Sequence, residues 1–185
     1  MEERKIQLPL DNETILSLKA GESVLLTGTM ITGRDAAHQR LFDAIQNHQP
    51  LPIKLEGEVI YYVGPAPSKP GVAVGSAGPT SSYRMDKYAP MLIEKGLKGM
   101  IGKGNRSVEV INAMKKHQCV YFAAIGGLGA MISKSIMGSE ILCYEDLGPE
   151  AIHRFWVKDF PAIVVIDAYG NNLYEIEQAK YRELD

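Results

Sequence analysis

Strand-like and helix-like patterns alternate along almost the whole chain, and this alternation constrains the fold more than any other feature. In RKIQLPL the apolar residues Ile6, Leu8 and Leu10 fall on one side. ESVLLTGTMIT is a β-rich run interrupted by Gly28, which predicts a bulge or a close backbone approach. From Asp35 the period becomes helical, with Ala37, Leu41, Ala44 and Ile45 at three- and four-residue spacing until NHQPLP stops it. EVIYYVG reads as a strand. A helix is predicted over Tyr83–Lys95, a strand at LKGMI, a helix over Ser107–Lys116 with Asn105 as its cap, a strand at CVYFAAI, and then a glycine-rich turn into a short helix. EILCYE reads as a strand and GPEAIHRFWV as a helix with Pro149 in its first turn. AIVVIDAYGNNLYEI reads as a hairpin turning at Gly170, Asn171 and Asn172. βαβ units mixed with a hairpin predict an α/β domain with mixed sheets rather than a purely doubly wound one. No internal repeat or dividing linker is visible, so residues 1–185 are expected to form a single compact domain.

With 185 residues, 45% of them hydrophobic, the chain can bury a substantial core. A net charge of −2, and no basic run longer than Lys115-Lys116, leave no electrostatic footprint for a nucleic-acid backbone. MEERKIQLPLD lacks an apolar leader segment, and nowhere do eighteen apolar residues run together, which predicts a soluble cytoplasmic protein with no membrane partner. Cys119 and Cys143 sit in the apolar stretches HQCVYFAAI and EILCYEDL and read as reduced thiols. Two cysteines alone complete neither a tetrahedral zinc site nor an iron–sulfur cluster, so no metal ligand is expected on this chain.

Between the strand EVIYYVG and the helix after it lies GPAPSKPGVAVGSAGPTSS, residues 64–82, too long and too rich in glycine, proline and serine for an ordinary connection. If Pro79-Thr80 opens the next helix, Thr80 stands near its N-cap and Arg84 one turn on. A hydroxyl, free backbone N–H groups and a guanidinium would then converge, a combination suited to a carboxylate; a mere cap beside a solvated arginine is the plainer alternative. In TGTMITGRDAAHQR a strand ends, Gly33 turns the chain, and Arg34 begins a helix with Asp35 as cap, beyond the carboxyl end of a strand where ligands of open α/β sheets collect. His38, four residues on, could face the same way as Arg34; a helix-surface histidine, or one that supports the site from behind without facing it, is the plainer alternative. In KGMIGKGNRSVEV, Lys103 stands between two glycines at a strand's end. It is not a phosphate loop, since Leu97 and Gly104 occupy the positions that need glycine and a hydroxyl. AIGGLGAMISKS matches a dinucleotide fingerprint at Gly127 and Gly129 but not at Ile132, and close strand–helix packing accounts for it better. Phe155, Trp156 and Phe160 read as core.

Taken in order, TGRDAAH, GSAGPTSSYRMD, GKG and AAIGGLGA make the sequence, from about residue 5 to 175, resemble the β subunit of the two-subunit iron–sulfur hydro-lyases, the class I fumarase and tartrate dehydratase family. In single-chain members this region is the C-terminal domain. The resemblance implies a swivelling β/β/α domain. It also implies reversible addition of water to a dicarboxylate, with a [4Fe–4S] cluster held by a separate α subunit. Carried over by motif, it places substrate-binding arginines at Arg34 and Arg84, a substrate-binding lysine at Lys103, and catalytic roles at Thr80 and Arg84, with Thr80 taking part in proton abstraction. Ser81, Ser82 and Tyr83 depart from the GPTTAGRMD form of that motif.

The expectation is therefore a β subunit acting on fumarate and (S)-malate, inactive without its α subunit, in an α2β2 assembly with a possible β–β contact. Tartrate dehydration, or a non-catalytic anion-binding module, are the alternatives; a nucleotide-binding domain built on GGLGA is a weaker one.

Overall fold

The fold is taken from a computed structural model that describes residues 2–125 and 129–183. Seven strands form one mixed sheet: β1 (Arg4–Gln7), β2 (Ser23–Thr32), β3 (Val59–Tyr61), β4 (Gly99–Gly102), β5 (Val120–Ala124), β6 (Ile136–Cys143) and β7 (Ile152–Ile166). β1 through β5 pair parallel with their neighbours in sequence order, whereas β7 runs antiparallel to β2, β5 and β6. Because β7 pairs with both β5 and β2, the sheet closes into a barrel.

Among the described residues the α-helices are α1 (Asn12–Ser17), α2 (Asp35–Gln46), α3 (Ala89–Glu94), α4 (Val108–His117), α5 (Gly129–Ser135) and α6 (Leu173–Arg182). The period of two along each strand separates two cores. Val59, Tyr61 and Val63 point into the barrel with Leu26, Phe122, Phe155 and Phe160. Ile60 and Tyr62 point outward to a second core shared with Leu41 of α2, Leu92 of α3 and Met114 of α4. Among the described residues no helix is long and apolar enough to cross a membrane.

The expected irregularity at Gly28 is present. Its φ is +133°, a Cβ there would stand 2.4 Å from the Leu8 carbonyl oxygen, and the β2–β7 register shifts between Leu26 and Gly28.

Five local expectations give way. The helix predicted for GPEAIHRFWV is a 3-10 turn over Glu145–Glu150, broken at Gly148 with φ 60°, and β7 begins at Ile152. Phe155 and Phe160 of that strand are buried, but Trp156 between them faces outward and is 41% exposed. The predicted hairpin keeps only its first arm. Asp167 gathers the backbone N–H groups of Tyr169 and Asn171, and Asn172, still bridged to Ile166, caps α6 through Tyr174 N–H at 3.1 Å. The helix predicted over Tyr83–Lys95 splits into a 3-10 turn at Ser82–Met85 and α3, because Pro90 is tolerated only in a first turn. Lastly, α4 is capped by Ser107, which accepts from Val110 N–H, and not by Asn105.

Candidate active site

Three parallel strands aim their carboxyl ends at one region. β2 ends at Thr32, and the chain turns through Gly33 into Arg34, the N-cap residue of α2. β4 ends at Gly102, just before Lys103. Between the ends of β3 and β4 the chain returns in extended form at Thr80–Ser82. Thr80 N–H donates to the Tyr62 carbonyl at 2.7 Å, Ser81 bridges Lys103 in parallel, and Ser82 N–H donates to the Lys103 carbonyl at 2.9 Å. Thr80 is therefore not a helix cap as the sequence suggested; it stands just before an isolated bridge at Ser81, and the 3-10 turn begins only at Ser82. This placement holds its side chain at 9% exposure, and among the described residues its hydroxyl makes no hydrogen bond.

The long loop before Thr80 is anchored rather than loose. Ala66 N–H donates to the Ser76 carbonyl at 2.9 Å, Tyr61 Oη donates to the Ala77 carbonyl at 2.5 Å, and Val74 and Ala77 are buried in the barrel core.

Arg84 projects from the 3-10 turn toward the start of α2, where Asp35 accepts from its Nε at 3.0 Å and from its Nη2 at 2.5 Å. The same Asp35 Oδ2 lies 3.9 Å from Arg34 Nε, and Glu150 Oε1 lies 3.5 Å from that nitrogen. Arg34 Nε is nonetheless buried without a hydrogen bond. Gly64 lies beneath this side chain, with an added Cβ only 3.1 Å from Arg34 Cδ and Nη1. The two arginines thus converge on one carboxylate, and Lys103 is tied through its backbone to Ser81 and Ser82, next to Thr80. Lys103 is exposed, and among the described residues its ammonium has no ion-pair partner.

His38 is not on the helix surface; it lies behind Arg34, as the supporting reading of this residue has it. It is fully buried, its Nδ1–H donates to the Arg34 carbonyl at 2.8 Å, and its ring meets Tyr62 and Tyr88 at centroid distances of 5.4 and 5.9 Å. Burial is the largest influence on the imidazole and pulls its pKa down to about 4, so the ring is neutral at physiological pH.

Sequence reasoning overlooked Arg106. Its side chain is fully buried, Nε donates to Asp86 Oδ1 at 2.7 Å and Nη2 to Tyr62 Oη at 3.1 Å, and the guanidinium lies 5.2 Å from the Tyr62 ring centroid and 4.9 Å from that of Tyr121. Asp86 also accepts from Ser107 N–H at 2.8 Å, which ties the Arg84 turn to the start of α4. Tyr121 Oη meets Ser82 Oγ at 2.8 Å and donates to the Gly104 carbonyl at 2.7 Å. This network underlies both Thr80–Ser82 and the Lys103 turn. In the sequence Arg106 looks like any polar residue before a helix, and nothing in one dimension joins it to an aspartate twenty positions earlier.

Among the described residues no three histidines, cysteines, aspartates or glutamates stand close enough to hold a metal ion. Cys119 is buried, and burial pushes its thiol up to about 12. These residues do not fit a cluster site. Gly127 of the proposed fingerprint lies outside the described residues, while Gly129 and Ile132 lie in α5.

The family model described as Fumarase C-terminus matches residues 1–177. The chain belongs to that family. It is 39% identical over 173 residues to fumarate hydratase 2 of Leishmania major, an alignment that covers 91% of this chain and 30% of the relative. It is 43% identical over 152 residues to the aerobic class I fumarate hydratase of Escherichia coli strain K12, covering 81% of this chain and 28% of the relative. The chain thus spans less than a third of the length of these relatives. A putative L(+)-tartrate dehydratase subunit beta of Methanocaldococcus jannaschii is 32% identical over 184 residues, and there the match covers 95% of this chain and 94% of the relative. The family assignment, and the α/β architecture with its mixed sheet, agree with what the ordered motifs implied.

Proposed function

We propose that this chain, as one domain, is the substrate-gripping β subunit of a hydro-lyase acting on a dicarboxylate, fumarate and (S)-malate first. The observation that carries the reading is that Arg34 and Arg84 both reach the Asp35 carboxylate, with Oδ2 3.9 Å from Arg34 Nε and 2.5 Å from Arg84 Nη2. Two guanidiniums brought to one carboxylate can also grip a guest carboxylate, since each keeps further N–H donors of its planar fork.

Arg34, Arg84 and Lys103 bind and orient the diacid, and Thr80 takes part in moving the proton at the carbon beside a carboxylate. A threonine hydroxyl is a weak base, so cations nearby and an acid from the partner must share that role. The [4Fe–4S] cluster that such a reaction employs is held by a separate α subunit, since the residues here do not fit one. Near-complete coverage of a relative named as a subunit beta supports the separate-chain arrangement. The same relative favours tartrate as a second substrate reading. An α2β2 assembly in the cytoplasm completes the proposal.

The test is to co-express the chain with its α-type partner, reconstitute the complex anaerobically, and follow fumarate, mesaconate and tartrate turnover. R34A and R84A should each reduce kcat/KM by about 2–5 kcal/mol of transition-state stabilisation. Near-normal turnover by both would overturn the site. Tight binding of diacids by the complex without turnover would instead favour an anion-binding module.

A further inference from the structure

Asp35 is not the cap of α2 that the sequence suggested: Arg34 holds the N-cap position, and Asp35 stands in the first turn with its carboxylate not spent on the helix. Both oxygens face Arg84, at 3.0 Å from Nε and 2.5 Å from Nη2, and Oδ2 lies 3.9 Å from Arg34 Nε. Glu150 reaches only one of the arginines: its Oε1 is 3.5 Å from Arg34 Nε and accepts from Ala36 N–H at 3.4 Å.

A guanidinium has five N–H groups in a planar fork, and a carboxylate can take two of them along one edge. Asp35 takes the Nε/Nη2 edge of Arg84. The edge formed by Nη1 and the second Nη2 hydrogen remains, and among the described residues it has no partner. Arg84 hangs from a four-residue 3-10 turn and its side chain is 40% exposed. Without a partner on its inner edge, such a long side chain would sample many rotamers, and it would be repelled by Arg34. A carboxylate fixed at the start of a twelve-residue helix removes both problems.

We propose that Asp35 is a positioning residue of the dicarboxylate cradle, holding Arg84 by its inner edge beside Arg34 so that the outer edge of the fork meets the substrate carboxylate. This rests on the reading of Arg34 and Arg84 as substrate ligands. Asp35 itself does not touch the substrate.

The experiment is steady-state kinetics of the reconstituted complex with (S)-malate, with succinate as competitive inhibitor, for the unmodified protein, Asp35→Asn, Asp35→Ser, Asp35→Glu and Arg84→Ala. Asn keeps the shape but loses the charge and turns an NH2 group toward a donor; Ser suits a helix start and so preserves the fold independently. KM for malate and Ki for succinate should both rise on the order of ten- to a hundredfold in the Asn and Ser variants, with kcat falling by less. The Glu variant should recover part of the loss, and the melting temperature should stay put. Unchanged KM and Ki in the folded Asn or Ser variant would overturn the proposal. Tighter succinate binding would overturn it too, since Asp35 would then be competing with substrate. Arg84→Ala separates the layers: if it is inactive while the Asn and Ser variants behave as the unmodified complex, only the role of Asp35 falls, whereas near-normal turnover by Arg84→Ala removes the substrate role of Arg84 and this proposal with it.

Discussion

The hydroxyl of Ser82 fills the space that a side chain at Gly102 would need: a Cβ built on Gly102 would stand 2.0 Å from Ser82 Oγ and 2.9 Å from the Tyr62 ring. The bare backbone at the end of β4 is therefore what lets the Thr80–Ser82 segment pack against it and lets Ser82 reach Tyr121 at 2.8 Å. Gly102→Ala should cost about 1–3 kcal/mol as an overpacked core site, measured by urea denaturation. It should also displace Thr80 and so lower kcat in the reconstituted complex. An unchanged midpoint and unchanged turnover would show that the segment adjusts freely.

Gly64 predicts the opposite split between stability and binding. An alanine there would press its Cβ to 3.1 Å from Cδ and Nη1 of Arg34, the end of a long and half-exposed side chain that can yield. Gly64→Ala should leave the melting temperature nearly unchanged while raising KM for the diacid severalfold. Calorimetry beside steady-state kinetics checks both halves.

His38 should make stability depend on pH. Its pKa falls from the usual 6.5 to about 4 on folding because burial disfavours the charged ring. Between these values the unfolded chain binds the extra proton, so this contribution to stability is complete above pH 6.5 and is lost as pH falls toward 4. The slope is at most about 1.4 kcal/mol per pH unit from this one group. His38→Gln should flatten the curve in that window while keeping a donor for the Arg34 carbonyl. Parallel curves for the two proteins would refute the assignment.

Arg106 is the most sensitive single residue of the network beneath the site. Replacing it with Met leaves the Asp86 carboxylate without its ion pair and Tyr62 Oη without its donor, and should cost about 3–5 kcal/mol by chemical denaturation. Arg106→Lys should recover little of this. An ammonium lacks the planar fork that lets Nε and Nη2 serve two partners while the guanidinium stacks between Tyr62 and Tyr121. Full rescue by lysine would mean that charge alone matters here.

Much of the scaffold could be read locally because its causes are local. EVIYYVG marked β3, the apolar spacing from Asp35 marked α2, and Gly28 marked the irregular point of β2. Where local preference was weak, long-range pairing decided. IHRFWV carries enough apolar residues for either a helix or a strand, and it becomes a strand because β2 and β6 pair with it from either side. LYEI lost its expected strand arm: beyond the bridge at Asn172 the chain runs on as α6, which Asn172 caps.

The candidate site divides in the same way. Arg34, Thr80, Arg84 and Lys103 were visible as residue types at strand ends and in an overlong glycine-rich loop, which is information carried by a few adjacent positions. The sequence by itself thus determined the alternating elements, the turns and caps that depend on immediate neighbours, and the family. Only the tertiary structure decided that Asp35 grips Arg84 across 49 positions, that Arg106 finds Asp86 in the interior, and that β7 closes the barrel. The physical reason is range. A cap or a strand period is set by forces within a few residues, whereas a shared carboxylate or a buried ion pair exists only after the chain has closed large loops and excluded water around the partners it brings together.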